Sequence, residues 1–207
     1  MLTYSQVTFQ DLRDQFGVRV EARAFLPPLE PLALPGWLRE FLNENPLPPA
    51  IVKSEKALSE AVIAPTLYAV RSYCRGELGV FSGEPLTGAG LTSVCDFILT
   101  SNPRAYLPEP PLMVVVEAKR QDLLTGIPQC VAEMLAVRDV NRRAGLDYVT
   151  TYGCVTTGVK WQFVRLVDEL AEAEPHVFNF PNLGPVLSGF VWIINQFHPV
   201  ASISAPN

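Results

Sequence analysis

Leu112-Met113-Val114-Val115-Val116-Glu117-Ala118-Lys119 is the stretch on which the reading of this chain turns. Its first five residues are an unbroken apolar run rich in β-branched valine, the pattern of a strand covered on both faces. It then stops at a carboxylate and an ammonium. Side chains alternate along a strand, so Glu117 and Lys119 share one face and Ala118 takes the other. An acid and a base at the end of a buried strand are costly unless they are paired or put to use. An ion pair closing the strand explains the triplet alone; its neighbours open a second reading.

Working backward, residues 91–100 read as another strand with Asp96 among apolar neighbours. A loop with Pro103, Pro108, Pro110 and Pro111 joins it to residue 112, which fits an antiparallel hairpin. Residues 77–82 read as an earlier strand, with Gly83-Glu84-Pro85 turning away from it. Before that, Ser54 caps a helix over residues 55–63, which Pro65 interrupts or bends before it resumes over 66–73.

Working forward, the spacing predicts a helix from about residue 126 to 143. Cys130, Val131, Met134, Leu135 and Val137 form its apolar side, with Gln129 and Glu133 four apart beside it. Residues 149–156 and 161–166 read as a hairpin, 177–180 as a weak strand, and 183–197 as a final apolar helix ending before Pro199. This order predicts an α/β fold, a mixed sheet flanked by helices. Residues 1–50 read as an N-terminal helix capped by Thr8, followed by a proline-rich arm docked on the core; residues 51–207 form the main domain. The arm holds many of the 19 prolines.

At 207 residues, 48% hydrophobic and 18% charged, the chain has the composition of a globular protein with a full core. No apolar run reaches the roughly 18 to 20 residues of a membrane span. The first residues lack the pattern of a signal peptide, so a cytoplasmic protein is expected. Cys74, Cys95, Cys130 and Cys154 are widely spaced and far from His176 and His198, which favours reduced core thiols over a zinc site. The net charge of −5 argues against a nucleic-acid binder working by bulk attraction, though not against an enzyme with a local basic track. Each histidine lies beside a proline near the C-terminal end, and surface loops explain both better than a catalytic triad does. Gly88-Ala89-Gly90 lacks the signature of a phosphate loop.

In a hairpin, the strands carrying Asp96 and Glu117 lie about 5 Å apart, so the two carboxylates can meet on one face with Lys119 a pleat away. Such a pair repels, and burial raises the cost. A hard divalent cation resolves the conflict, because Mg²⁺ accepts carboxylate oxygens and keeps several waters. A water held there near an ammonium is a nucleophile suited to phosphodiester hydrolysis.

Asp96, the Glu117-Ala118-Lys119 triplet and Gln129 on the following helix resemble, in order and placement, the PD-(D/E)XK nuclease superfamily. Ser54-Glu55-Lys56-Ala57, Cys95-Asp96-Phe97-Ile98-Leu99 and Tyr152-Gly153-Cys154 are similar to a restriction-like family common in cyanobacteria, a likeness that covers nearly the whole chain from residue 54. Where the superfamily expects proline before the aspartate, Cys95 stands. The resemblance implies a restriction-endonuclease-like α-β-β-β-α-β core and a metal-dependent endonuclease acting on DNA. It makes Asp96 and Glu117 ligands of Mg²⁺ or Mn²⁺, with the Ala118 carbonyl a third. Lys119 would activate the attacking water or stabilise phosphorane-like charge. Gln129 would position Lys119 or a phosphate, a role no better supported than a plain hydrogen bond at the sheet edge.

Glu55 would join these as an extra acid from the preceding helix, although an acid in that place is more often one that stabilises the helix N-terminus; Glu60 projects to a different side of an α-helix. Arg71, Arg75, Arg120, Arg142, Arg143 and Lys160 are candidates to track a DNA backbone, each also readable as a solvated charge. The alternative function is a non-catalytic or regulatory interaction protein that keeps the fold. A homodimer is expected, because Trp192, Ile193 and Phe197 fall outside the apolar stripe of the last helix and two active sites suit cutting both strands of a duplex.

Overall fold

The valine-rich run is a strand buried along its whole length in a computed structural model that describes residues 2–45, 54–120 and 122–197. A 3-10 turn (Tyr4–Gln6) leads into helix α1 (Phe9–Phe16), strand β1 (Arg19–Ala22) and helix α2 (Gly36–Glu44). A helical segment in three parts follows: α3 (Glu55–Leu58), a π-helical turn (Ser59–Ile63) and α4 (Ala64–Tyr73). Strands β2 (Gly79–Gly88), β3 (Leu91–Thr100) and β4 (Leu112–Ala118) come next, then helix α5 (Leu123–Arg143). The chain continues through β5 (Thr150–Thr156), β6 (Lys160–Val167), β7 (Leu170–Ala173), β8 (Phe178–Asn179) and helix α6 (Gly184–Ile194).

The strands form one mixed sheet in the order β1-β7-β6-β5-β4-β3-β2, with β8 pairing to β6. β2, β3 and β4 are antiparallel neighbours, whereas β4 and β5 are parallel. A parallel pair needs a long crossover, and α5 supplies it. β4 sits between β3 and β5, and both its faces are covered, which is why its sequence does not alternate.

Two apolar cores hold the helices to the sheet. On one face Leu58, Leu67 and Val70 of the segmented helix and Leu187 and Phe190 of α6 pack on Phe97, Val114 and Val116. On the other, Tyr4, Leu12 and Val131 pack on Ile98, Val115 and Val155. Asn141 ties α5 to β4 by accepting from the backbone N–H of Leu112 and donating to its carbonyl, at 2.8 and 2.7 Å. All four cysteines are buried free thiols. No helix among the described residues is long and apolar enough to cross a membrane.

The structure corrects the reading in three places. β2 does not turn away at Gly83-Glu84-Pro85 but continues to Gly88, and Gly88-Ala89-Gly90 makes the hairpin turn into β3. β2 is an edge strand, where a proline's missing N–H costs no ladder bond. The N-terminal region is more than a cap, since β1 adds a strand to the sheet beside β7. Phe25, Leu26, Leu32, Leu34 and Leu42 from the arm pack on the core; residues 46–53 of the expected arm lie outside the described residues. Finally, the apolar surplus of α6 is covered within the chain. Ile193 is buried, and Trp192 and Phe197 make edge-on ring contacts with Tyr152, so that surplus supplies no argument for a dimer.

Candidate functional site

β3 carries Asp96 to the end of the β4 strand, and does so through a break in its own pleat. Ser82 pairs with Phe97 and Glu84 with Cys95, leaving Gly83 opposite Asp96. Gly83 is left-handed there (φ 70°), a conformation that favours glycine. Cys95 and Ile98 then fall into the same core cluster, which three residues of regular strand would not allow. The β3–β4 ladder reaches Phe97 opposite Val116. One step further, the carboxylate of Asp96 takes over from the backbone: its Oδ2 accepts the N–H of Ala118 at 2.7 Å.

Glu117 and Lys119 follow on β4 and just past it. The Lys119 N–H donates to the Thr156 carbonyl at 2.7 Å, anchoring the strand end to β5. Its Nζ lies 2.5 Å from Oε1 of Glu117 and donates to Oε1 of Gln129 at 2.7 Å. Gln129 Nε2 in turn donates to Oε1 of Glu133, one helical turn further along α5, at 3.2 Å. Glu117, Lys119, Gln129 and Glu133 thus form a connected run of side chains between strand and helix, and the two acids at its ends act on each other's charge. Gly126 makes room for it: a Cβ there would stand 2.5 Å from Cγ1 of Val155 and 2.9 Å from Cγ of Lys119.

The charges in this run follow from its burial. Desolvation, then the nearby Asp96 carboxylate, pushes Glu117 up to about 7 against the pull of Lys119. Glu133 is fully buried, and desolvation followed by Glu117 raises its pKa well above the carboxylate range. Oε2 of each acid is buried with no hydrogen-bond partner. Two buried, unpartnered carboxylates are costly when both are charged, and Glu133, fully buried and without a cation of its own, is the one that burial favours in the neutral form. Burial pulls Lys119 down, but Glu117, and beyond it Asp96 and Glu55, more than reverse this, so its pKa is raised. At neutral pH Lys119 is an ammonium, fit to hold an anion or orient a water rather than take a proton.

The expected residues therefore come together, with one correction. Asp96 and Glu117 do not meet as a bare pair: Asp96 is held by the Ala118 N–H and Glu117 by Lys119, while their like charges still act on each other. Glu133 is the member that the sequence reading noted but gave no role. Its signal was the Gln129–Glu133 spacing, which places both on one side of α5.

In front of Asp96 lies a cleft of about 410 Å³ between the segmented helix and the β2–β3 hairpin, bordered by Glu55, Glu60, Tyr68, Val80, Ser82 and Phe97. Both Glu55 and Glu60 reach it. Five residues along an α-helix lie about 140° apart, which would separate them. Glu60 lies in the π-helical turn at Ser59–Ile63, where the helix is wider than an α-helix and that projection does not hold. Pro65, which lacks the N–H an α-helix would use, lies just beyond it.

The basic residues divide by position. Arg120 and Lys160 are exposed at the same sheet end as Lys119, and Lys56 borders the cleft. Arg142 and Arg143 stand at the far end of α5, about 20 Å along the helix axis from Gln129, and Arg143 pairs with Asp139. Arg71 lies one helical turn from Tyr68 on α4, and Arg75 just past the end of that helix. His176 is exposed, against the ring of Phe178, and His198 lies outside the described residues.

Among the described residues no group of three or more His, Cys, Asp or Glu is placed to hold a metal ion. Two carboxylates on adjacent strands, one with an unpartnered oxygen, nevertheless suit Mg²⁺, which uses one or two carboxylates and keeps its waters rather than filling an all-protein cage. No protein-family model matches the chain, and no match is found among curated proteins.

Proposed function

We propose that this chain is a metal-dependent nuclease that hydrolyses DNA phosphodiester bonds through a PD-(D/E)XK-type site on a restriction-endonuclease-like core. The observation that carries the reading is the Lys119 ammonium, fixed between Glu117 and Gln129 at the end of a buried strand beside Asp96. The succession of helix, three antiparallel strands, helix and parallel strand supports it.

In this reading Asp96, Glu117 and the Ala118 carbonyl hold Mg²⁺ or Mn²⁺. The bound ion supplies Lewis acidity and a water of lowered pKa. Lys119 orients the attacking water and stabilises negative charge building on the phosphate. Gln129 holds the ammonium in place, and Glu133 holds Gln129. Glu55 and Glu60 supply acids at the rim, while Lys56, Arg120 and Lys160 take the phosphates on either side. A homodimer remains part of the proposal, on the ground that a duplex presents two strands to two sites.

A specific observation favours a second reading, a non-catalytic interaction protein that keeps the fold. Glu117, Lys119 and Asp96 each find partners within the chain, as a purely structural strand end would. Conversion of supercoiled plasmid to nicked or linear DNA separates the two. The nuclease reading requires cleavage with Mg²⁺ or Mn²⁺, none in excess chelator, and none with Lys119→Met. An inert wild type with both metals supports the interaction protein.

A further inference from the structure

We infer that the cleft beside Asp96 seats an unpaired nucleobase with a donor-rich edge, guanine above all, and that the preferred substrate is DNA with an unpaired stretch. This deepens the nuclease reading and rests on it. The cleft, about 410 Å³, lies within the size range of small-molecule sites. Its walls are apolar and aromatic: Phe97, Val80, Ala64 and the ring of Tyr68 border it. Tyr68 is 46% exposed, an aromatic left open to solvent where a strand end and three acids converge. An open ring beside a slot is a stacking platform, and stacking accepts any planar base.

The charges decide what enters. Glu55, Glu60 and Asp96 border the cleft against one cation, Lys56, so a phosphate is repelled from its interior. A neutral ring offering N–H groups is attracted, because carboxylates only accept hydrogen bonds. Guanine's Watson–Crick edge offers two adjacent donors, N1–H and N2–H₂, matching one carboxylate with two bonds. Cytosine and adenine offer one amino group. Thymine sets carbonyls beside its single N–H and is disfavoured. In a duplex these edges are already paired and the faces stacked, so a base reaches the cleft only where the strand is single or the base is flipped out. The Asp96 end of the cleft would then place the phosphate attached to that base at the metal site.

The test is equilibrium binding without cleavage, using fluorescent oligodeoxynucleotides in Ca²⁺, which Mg²⁺ sites often accept without turnover. A single-stranded dodecamer with one deoxyguanosine among thymidines is compared with all-thymidine and with its duplex. Wild type is expected to bind the guanine-containing single strand most tightly. Tyr68→Ala is expected to lose roughly 5- to 100-fold of that affinity, the loss of one stacked base, and Tyr68→Phe to retain it. Tyr68→Leu keeps apolar bulk without a π-face and serves if the alanine variant is unstable; it is expected to lose affinity likewise. Equal affinity for single strand and duplex, or unchanged binding in the leucine variant, overturns the inference. Plasmid cleavage by wild type in that event leaves the nuclease reading standing, whereas neither binding nor cleavage of any of these DNAs removes both.

Discussion

The Lys119 ammonium sits 2.5 Å from Oε1 of Glu117, and that carboxylate is 2% exposed while the lysine side chain is 22% exposed. The pair is thus asymmetric: the base faces the solvent edge and the acid lies behind it, beside a second, neutral acid. A lysine so placed has its charge enforced from behind and its ammonium available in front. The predictions below follow from that arrangement.

Lys119→Met should abolish plasmid cleavage, by at least about 100-fold, with the fold kept. The side chains are similar in length, so the packing over Gly126 survives. Glu117 loses the cation it pairs with and takes up a proton more readily, so the variant's stability deficit should grow as pH rises from about 6 to 9. Thermal melts across that range check this. Activity within a few-fold of wild type would make Lys119 a structural ion pair only.

Gly126→Ala should damage both activity and stability. The added methyl meets the Lys119 stem, which can move aside and take the ammonium from Gln129 and Glu117, and Cγ1 of buried Val155, a β-branched side chain on β5 that cannot. Cleavage is expected to fall by about tenfold or more, with a melting temperature several degrees lower for an overpacked site. Near-wild-type cleavage would show that the position of Lys119 over the helix is unimportant.

Stability should fall as pH rises through the window set by Glu117. Its pKa moves from 4.5 in the unfolded chain up to about 7 when folded. Between those values the folded state binds more protons than the unfolded one, so folding weakens with rising pH, and the share due to Glu117 levels off above about 7. Glu133, raised for the same reason, adds a loss of the same sign that starts in the same window and continues above it. Melting temperatures of wild type and Glu117→Gln between pH 4 and 8 test this. The wild type should decline relative to the variant, and parallel curves would contradict the charge assignment.

Much of this site was legible in the sequence because its parts sit on strongly patterned elements. The five-residue run ending at Glu117 could be little other than a buried strand, and the proline-rich loop before it made the Asp96 strand its neighbour. Gln129 was placed on the following helix by its spacing, and its part in the site came from the family resemblance. What was not legible depended on departures from regular periods. Glu60 was placed away from Glu55 because a projection at 3.6 residues per turn cannot show a π-helical turn. The continuation of β2 through Gly83-Glu84-Pro85 ran against local propensity, and the edge position that tolerates it is a property of the sheet. Leu170-Ala171-Glu172-Ala173 forms β7 with little strand propensity, where pairing with β1 and β6 outweighs local preference. The partner that covers Trp192 and Phe197, Tyr152, is distant in sequence, so the last helix looked half-uncovered when it is not.

The central claim is that Asp96 and Glu117 form a divalent-cation site, and a thermal melt with and without metal tests it most directly, with no substrate needed. Asp96→Asn keeps an oxygen for the Ala118 N–H and removes the negative charge that raises Glu117, so without metal it should melt at or above the wild-type temperature. Mg²⁺ at roughly ten times its dissociation constant should stabilise the wild type by about 1.4 kcal/mol, about 3 to 6 °C for a chain of this size, and should leave the variant nearly unmoved. A wild type that ignores both Mg²⁺ and Mn²⁺, together with a variant melting several degrees lower, would contradict the metal site and the nuclease reading built on it.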